Sequence, residues 1–387
     1  MFIHHIQLQN WKNFKDVSAS LQRRTFIIGP NASGKSNLLD VFRFLSDLAD
    51  RGLDKAVGAR GGVSSIRCLA ARESPSIGIQ VEVGPSTGPR WAYEIEFNQD
   101  AQRIPRIRRE KVTDLRQGKV LVDRPNAQDE DDPVRLTQTT LEQIIANRDF
   151  RDLADFFQSV SYQHVIPQVV RDPQGFSPHP VTDDPFGRDF LQRLWNTNSR
   201  TRNAWLRRIS TVLTQAVPQL KNLEVEMDKQ GTPHLVGRYE HWRPHNARQN
   251  ESQFSDGTLR LFGLMWALFE GDGPLLLEEP ELSLHTEVVK SLPQLLVQLQ
   301  EEIRKMRRRS KADYAPRQLI ISTHSEELLR DKSIGADDVL IINPSAEGST
   351  IQTPGAEARR ALESGLTISD VVLPESAPSS LQLEFGW

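Results

Sequence analysis

Cysteine is nearly absent from this chain, because Cys68 is the only one among 387 residues. A single thiol excludes an intramolecular disulfide and a zinc cluster of several cysteines, so we expect Cys68 to fill space in the core. The sequence also lacks any apolar run near the ~20 residues that a membrane-spanning helix needs. Its first residues have neither the basic nor the apolar segment of a signal peptide. These absences predict a cytoplasmic protein without a membrane partner.

The chain also has little excess of either sign of charge, since the formal net charge is only -3. No global field therefore draws the chain to nucleic acid, and a DNA contact would need local basic patches. A salt-bridged, solvated helix face is the alternative explanation for such patches. The candidate patches are residues 305–311 and the arginines Arg200, Arg202, Arg207 and Arg208.

The apolar pattern in the first third predicts both strands and a helix. Period-two alternation predicts strands over residues 2–9 and 21–28 and an antiparallel meander over residues 76–123. Apolar residues at helical spacing predict a helix over residues 35–50, directly after the second strand. A proline-containing acidic stretch over residues 125–133 predicts an exposed loop.

The rest of the chain divides into a helical part and an alternating part. Residues 136–219 are expected to be mostly helical, with Leu141, Ile144 and Ile145 on a helix and a proline-rich loop over residues 167–185. After residue 256, buried strands alternate with helices, which predicts a largely parallel sheet. The other expected strands lie near residues 223–227 and 234–239 and over 274–277, 318–322 and 339–342, and the helices over 259–269, 286–309 and 356–366.

A glycine-rich motif stands between the second strand and the first helix. Its glycines let backbone N–H groups turn toward phosphates, and the helix N-terminus adds partial positive charge. Lys35 can neutralise the β- and γ-phosphates, and the Ser36 hydroxyl can hold Mg²⁺. With strand and helix in place, the motif predicts ATP binding rather than a chance glycine turn. The predicted nucleotide-contacting residues here are Gly29, Pro30, Asn31, Ala32, Ser33, Gly34, Lys35, Ser36 and Asn37.

Two carboxylates, Glu278 and Glu279, directly follow the apolar strand at 274–277. In that arrangement Glu278 would bind Mg²⁺ through water, and Glu279 would orient or deprotonate the attacking water. The first position is usually aspartate, and the extra methylene of Glu278 leaves the details of its metal contact open. A solvated strand end is the alternative, which the following Pro280 and Glu281 disfavour.

A second anion site is predicted at Ser255-Asp-Gly-Thr258, where Ser255 is a natural helix N-cap. The Ser255 hydroxyl, the Gly257 amide and the helix dipole can together bind phosphate. One chain cannot bring both anion sites to one nucleotide, so two copies must meet. An ordinary capped turn is the alternative. His324, which follows the apolar strand at 318–322, can donate to the γ-phosphate.

In this order, the motifs resemble those of the ABC-type ATPase heads of the RecF, SMC and OLD group. The opening residues 6–14 are similar to the opening of that group, and Gly61-Gly62 is similar to a glycine pair in the stand-alone OLD-like ATPases of bacteria. The resemblance covers residues 1–75 and 250–345. It implies that Lys12 lies near the nucleotide.

The same resemblance assigns further roles. It implies that Ser255 and Gly257 act across a dimer interface and that His324 is the switch histidine. Gln163 and Gln168 are both candidates for the Q-loop glutamine of the family, and either can instead be an ordinary loop residue.

An ABC-type head fold follows from the resemblance. It implies an α/β fold with a central, mostly parallel sheet, an antiparallel β-meander subdomain and a mostly helical insert. The expected divisions are an N-terminal ATPase lobe over 1–124, the insert over 125–250, a C-terminal lobe over 251–345, and a helix and tail over 346–387.

The implied function is ATP hydrolysis, slow or triggered, with Mg²⁺ and with two heads dimerising around ATP, or assembling further. The implied setting is phage or plasmid defence or DNA repair, with DNA or a phage component as trigger. An assembly scaffold that binds ATP with little turnover is the alternative, and a membrane-transporter ATPase is disfavoured by the insert.

Some OLD-type proteins continue into a Toprim nuclease domain. The residues after His324 are too few for one, so we expect a separate effector such as a nuclease or toxin. The tail over residues 374–387 alternates Leu381, Leu383 and Phe385, which suits docking as an added strand. A frayed terminus is the alternative for this tail.

Overall fold

The computed structural model describes residues 1–71, 75–172, 175, 184–240, 247–307 and 315–372. The tail over 374–387 and the basic residues 308–311 lie outside these described residues. The chain forms two compact units. Unit 1 comprises Met1–Ser161, Gln318–His324 and the residues from Lys332 onward, and unit 2 comprises Tyr162–Arg317 and Ser325–Asp331. Among the described residues, no helix is long and apolar enough to cross a membrane.

Groups of strands and groups of helices follow one another along the chain. The strands are β1 (Phe2–Trp11), β2 (Phe14–Ser20), β3 (Arg24–Ile28), β4 (Ile77–Gly84), β5 (Trp91–Gln99), β6 (Pro105–Asp114), β7 (Lys119–Arg124), β8 (Ser161–Gln163), β9 (Leu220–Met227), β10 (Pro233–Tyr239), β11 (Ala247–Asn250), β12 (Leu275–Glu278), β13 (Leu319–Ser322), β14 (Val339–Asn343) and β15 (Thr350–Gln352). The helices are α1 (Lys35–Arg51), α2 (Leu53–Gly58), α3 (Val63–Ile66), α4 (Ala127–Asp131), α5 (Arg151–Gln158), α6 (Pro167–Arg171), α7 (Phe190–Asn196), α8 (Ser199–Ala216), α9 (Asp256–Phe269), α10 (Thr286–Arg307), α11 (Glu326–Leu329), α12 (Ala356–Glu363) and α13 (Ile368–Val371). Short 3₁₀ helices cover Pro133–Thr137, Arg148–Phe150 and Ala336–Asp338.

The first sheet of unit 1 is antiparallel, with strand order β2-β1-β4-β5-β6-β7. Buried and partly exposed residues alternate along β4 and β5, as expected for strands with one face on the core. The meander predicted over residues 76–123 is confirmed. The separate strand β2 was not predicted, because its short polar residues give only a weak alternation.

The second sheet of unit 1 has the strand order β15-β14-β3-β13. β13 and β14 both pair in parallel with β3, and β15 pairs antiparallel with β14. β13 is buried along its whole length, as expected for a parallel strand covered on both faces. The predicted, mostly parallel sheet is confirmed. The side chain of Gln318 joins this sheet to the first one, because it bonds both the N–H and the C=O of Ile3 at 2.8 Å.

Unit 2 is built around an almost wholly buried helix. Every residue of α9 from Thr258 to Phe269 is buried. The long helix α10 buries only one apolar stripe and confirms the predicted helix as far as Arg307. A three-stranded antiparallel sheet, β11-β10-β9, directly precedes α9 in the chain. β11 was not predicted, since Ala-Arg-Gln-Asn has no strand-like alternation.

The helix predicted around Leu141, Ile144 and Ile145 is wrong. These residues lie in turns, and Ile145 is 92% exposed. A side chain, rather than a helical N–H group, bonds to a backbone carbonyl here, since Asn147 Nδ2 donates to the Leu141 carbonyl at 2.8 Å. The proline-rich loop predicted over 167–185 begins as helix α6, because proline is well suited to the first helical turn. Cys68 is buried, as expected.

A buried ion network fixes the end of the meander. Arg124 on β7 donates to Glu110 at 3.0 Å and to Asp129 at 2.7 Å, and all three side chains are almost fully buried. Burial raises the pKa of Glu110, and the nearby Arg124 offsets this only in part. Removing one member would therefore leave an uncompensated charge in the core.

We predict that Arg124→Leu lowers the free energy of unfolding by about 3–5 kcal/mol, because Glu110 and Asp129 lose their shared cation. Arg109→Leu is the matched control, since its ion pair with Glu94 on the same sheet is solvent-accessible. That control should cost at most about 1 kcal/mol. Urea denaturation of the full chain measures both values. Equal losses in the two variants would contradict this account.

Candidate nucleotide-binding site

The glycine-rich loop connects β3 to the N-terminus of α1 in unit 1. Lys35, the first residue of α1, is buried and its ammonium group donates to the carbonyls of Gly29 at 2.9 Å and Pro30 at 3.1 Å. These bonds hold the ammonium inside the loop. The loop thus has the geometry of a phosphate cradle, with a helix N-terminus and a lysine at one place.

Asn13, in the turn between β1 and β2, fastens the loop from outside. Its Nδ2 donates to the Ser33 carbonyl at 2.7 Å and to the Ser349 hydroxyl at 2.8 Å. Its Oδ1 accepts from Asn37 Nδ2 at 2.8 Å. Gly34 has φ of 110°, and a Cβ there would lie 2.1 Å from Asn13 Nδ2. Only glycine therefore suits position 34, and Asn37, a predicted nucleotide contact, uses its side chain to hold Asn13.

Lys12 lies beside the loop on the same turn, with its ammonium paired to Asp40 of α1 at 2.6 Å. Arg60 binds the same carboxylate through Nε and Nη2, each at 3.0 Å. Burial opposes ionisation of Asp40, but Arg60 and then Lys12 outweigh it, so the pKa of Asp40 is lowered. The predicted position of Lys12 near the nucleotide stays a prediction.

His324 follows β13 at the edge of the sheet where the glycine-rich loop starts. Ser322 is opposite Ile27 in the parallel pairing, and the Thr323 N–H donates to the Ile27 carbonyl at 3.0 Å. His324 is exposed. Unit 1 therefore brings together the glycine-rich loop, Lys12, Asn37 and His324.

The two predicted carboxylates lie in unit 2, at the end of β12. Glu278 accepts a hydrogen bond from the Tyr162 hydroxyl through Oε2, and its carbonyl is 3.1 Å from His164 Nδ1. Glu279 has φ of 44°, a left-handed conformation that is unfavourable for a residue with a side chain. Such strain is concentrated at functional sites, which favours a role for Glu279.

The second predicted anion site, at Ser255 and Gly257, also lies in unit 2. Ser255 caps α9 as predicted, with its hydroxyl accepting the Thr258 N–H at 3.1 Å. A Cβ on Gly257 would lie 2.7 Å from the Ser283 carbonyl, so the turn packs closely on the loop that follows Glu279. The turn of Ser255 and Gly257, at the start of α9, therefore lies against the loop that follows Glu278 of β12 and Glu279.

The two Q-loop candidates lie close together in sequence but face different partners. Gln163 is on β8, the neighbour of β12, and lines a small, mostly apolar cavity with Glu278, His164 and Arg260. Gln168 on α6 donates to Asp256 Oδ2 at 2.9 Å. Gln163 and Gln168 both stay candidates for the Q-loop residue.

Residues 24–330 match the family described as "AAA domain, putative AbiEii toxin, Type IV TA system". The chain belongs to this AAA family. No functionally curated protein shows significant sequence similarity to it.

Solved structures of SMC heads have the same fold as this AAA-family chain. The structure described as "SmcHead bound to the C-winged helix domain of ScpA" is 14% identical, with a TM-score of 0.55, and covers 94% of this chain and 100% of that one. A second structure is an Smc head with an extended coiled coil, bound to the C-terminal domain of ScpA derived from Pyrococcus furiosus. It is 12% identical, with a TM-score of 0.50, and the match covers 94% of this chain and 99% of that one. The fold is thus that of an ABC-type ATPase head, as the motifs implied.

Several structural partners of the site in this AAA protein were missed from sequence. Asn13 lies within the opening residues 6–14, but its clamp on Ser33 also involves Ser349, more than three hundred residues away. Tyr162 could not be identified from sequence, because a single polar residue outside any periodic pattern carries no signal. Of the four arginines proposed as a basic patch, Arg202 is buried and donates to the Trp195 carbonyl at 2.6 Å. It therefore does not belong to an exposed patch.

We predict that Glu279→Gly is more stable than Glu279→Ala by about 1–2 kcal/mol, because only alanine bears the cost of the left-handed backbone. Both variants lack the carboxylate, so they should be equally inactive. Thermal unfolding and ATPase assays check this pair. Equal stability would mean that the backbone relaxes freely at this position.

A second prediction concerns Asn13, whose replacement by alanine should weaken ATP binding about tenfold while the fold persists, since the Ser33 carbonyl loses its clamp. Asn126→Ala is the control, because Asn126 is an N-cap elsewhere in unit 1. Isothermal titration with ATP measures both. Unchanged affinity in Asn13→Ala would show that the loop needs no external clamp.

Proposed function

We propose that this chain is an ATP hydrolase of the OLD type whose two copies dimerise around ATP. The observation that carries the proposal is the glycine-rich loop, with Lys35 buried and held by two loop carbonyls at the start of α1. This arrangement is suited to a nucleotide triphosphate because it combines oriented N–H groups, a helix N-terminus and a fixed cation.

Each candidate residue then has a chemical task. Lys35 would neutralise the β- and γ-phosphates, and the remaining residues of the loop would contact the phosphates through their backbone. Glu279 would orient or deprotonate the attacking water, and His324 would donate to the γ-phosphate.

The chain also offers ligands for a metal. Mg²⁺ prefers oxygen ligands and takes few from protein, and Ser36 and Glu278 supply oxygen only. Bound there, it would neutralise charge developing on the phosphates. The hydroxyl of Tyr162 and the imidazole of His164 would hold Glu278 in place for this task.

Dimerisation is supported by the position of Ser255. It is exposed at the N-terminus of the fourteen-residue helix α9, whose dipole favours an anion. Its hydroxyl oxygen accepts the cap hydrogen bond from its own helix. We propose that its hydroxyl hydrogen is donated to the ATP of a second copy. The SMC heads of the same fold are described as bound to ScpA. This supports the proposal that this chain also binds a partner protein, which would respond to its nucleotide state.

The proposed setting is defence against phages or plasmids, with DNA repair as the other genome-related role. The toxin–antitoxin description of the family supports a defence role. We propose that a separate effector, such as a nuclease or toxin, is held or released according to nucleotide state. DNA is a further proposed partner, and binding that weakens steeply with salt would support it.

We predict that Lys35→Ala abolishes ATP binding, because the phosphates lose their fixed cation. Glu279→Gln should bind ATP as tightly as the unmodified chain, stall before hydrolysis and accumulate as a dimer. Lys15→Ala is the control, since Lys15 is half exposed and pairs with the exposed Glu347. Titration, phosphate release and sedimentation measure the three properties. ATP-dependent dimers without measurable turnover in the unmodified chain would favour the scaffold alternative.

Mixing variants tests whether Ser255 acts on the second copy. Ser255→Arg should bind ATP but neither dimerise nor hydrolyse it, whereas Ser252→Arg, on an exposed residue nearby, should do both. A mixture of Ser255→Arg with Lys35→Ala contains heterodimers with one intact composite site. Part of the activity should therefore return. Normal hydrolysis by Ser255→Arg alone would refute the cross-subunit role.

A further inference from the structure

A hairpin near the end of unit 1 lies directly beside the glycine-rich loop. It consists of β14, the connection over residues 344–349 and β15, and we name it the β14–β15 hairpin. Its first strand pairs in parallel with β3, the strand that leads into the loop. The family match ends at residue 330, and the resemblance of the motifs ends at residue 345. Neither similarity therefore assigns the tip of this hairpin a role at the site.

The hairpin contacts the start of the glycine-rich loop through β14. A Cβ on Gly29 would lie 2.5 Å from the carbonyl oxygen of Ile342, so the two backbones approach each other without room for a side chain. The position of β14 therefore determines where the loop leaves β3.

The hairpin contacts the other end of the loop through Ser349, which is only 6% exposed. Its hydroxyl donates to the Ser33 carbonyl at 2.7 Å and accepts a hydrogen bond from Asn13 Nδ2 at 2.8 Å. Its backbone N–H donates to the Asn13 carbonyl at 2.7 Å. Ser349 therefore bonds at once to the glycine-rich loop and to the turn between β1 and β2.

The connection between β14 and β15 holds Ser349 in this place. Gly348 has φ of 112°, and a Cβ there would lie 2.8 Å from the Asn13 carbonyl oxygen, so the backbone can approach only as glycine. The Gly348 N–H donates to the Ser345 carbonyl at 3.2 Å, and the Ser345 hydroxyl donates to the Gly348 carbonyl. Ser349 is thus presented by a closed turn.

The hydrogen bonds to the Ser33 carbonyl also fix the direction of the next N–H group. In a planar trans peptide, the C=O of one residue and the N–H of the next point in opposite directions. Asn13 and Ser349 hold the Ser33 carbonyl on their side of the loop. The Gly34 N–H is therefore directed away from them, and inward N–H groups are what a phosphate cradle requires.

We propose that Ser349 is a positioning residue for nucleotide binding, which acts through the Ser33–Gly34 peptide to aim the Gly34 N–H at the phosphates of ATP. The inference rests on the proposed function, in which this loop binds ATP. Ser349 itself would not touch the nucleotide. The affinity for ATP would then depend on a hairpin tip that lies outside the matched family domain.

The test is isothermal titration of the full chain with ATP and Mg²⁺, together with steady-state hydrolysis. Ser349→Ala should weaken ATP binding by about three- to tenfold, the usual contribution of one hydrogen bond, because the Ser33 carbonyl loses one of its two donors. The KM for ATP should rise by the same factor while kcat stays within about twofold, since the bond is present before and during the reaction. Ser349→Thr keeps the hydroxyl and should retain most of the affinity.

Thr350→Ala is the matched control, because it removes a hydroxyl from the next residue of the hairpin, which is exposed, and should leave the affinity unchanged. Normal ATP affinity in Ser349→Ala would overturn the inference. An equal loss in Thr350→Ala, or in a folded Ser349→Thr, would also overturn it, because general damage to the hairpin would then explain the effect. Absence of ATP binding by the unmodified chain would instead refute the proposed function, so the two failures are distinguishable.

Discussion

The shape of the glycine-rich loop is the constraint on which unit 1 depends. Its backbone must turn N–H groups inward, and this requires positive φ at Gly29, Ala32 and Gly34. Such a conformation persists only when surrounding groups over-determine it. Asn13 and Ser349 supply these groups from opposite ends of the chain, and both donate to the carbonyl of Ser33. The long stretch of chain between Asn13 and Ser349 therefore has to fold so that both side chains reach the loop.

Unit 2 meets a different requirement, which is to hold carboxylates in place at a strand end. A glutamate is longer and has more rotamers than an aspartate, so Glu278 needs external positioning. Tyr162 supplies it, and the residue comes from a neighbouring strand rather than from β12 itself. Glu279 is positioned by its left-handed backbone, although the following Pro280 favours an extended conformation there. One of these adjacent carboxylates is thus positioned by a hydrogen bond from another strand, and the other by its own backbone conformation.

Sequence patterns predicted the parts of the fold whose signals are local. The meander, the parallel strands, α1 and the Ser255 cap all depend on periodicity or on a nearby cap, and these predictions are confirmed. The turn at Ile144 and Ile145 was mistaken for a helix because apolar spacing does not reveal that Asn147 satisfies the backbone. The contacts made by Asn13 with Ser349 and by Tyr162 with Glu278 join residues far apart in sequence. Such long-range pairings cannot be inferred from a single sequence, and they are seen only in the three-dimensional structure.

The carboxylate of Asp40 has two close cations, Arg60 and Lys12, with Arg43 farther away at 4.0 Å, and the two close ones are not equivalent. Arg60 is nearly buried and grips both oxygens, whereas a quarter of the Lys12 side chain is exposed and it reaches one oxygen. If Lys12 withdrew, Asp40 would keep a bidentate partner, so no bare charge would remain in the interior. The electrostatic barrier to moving the lysine is consequently low, although the lysine is anchored at a fixed place. Without Arg60, movement of Lys12 away from Asp40 would cost more, because the carboxylate would lose its last close cation.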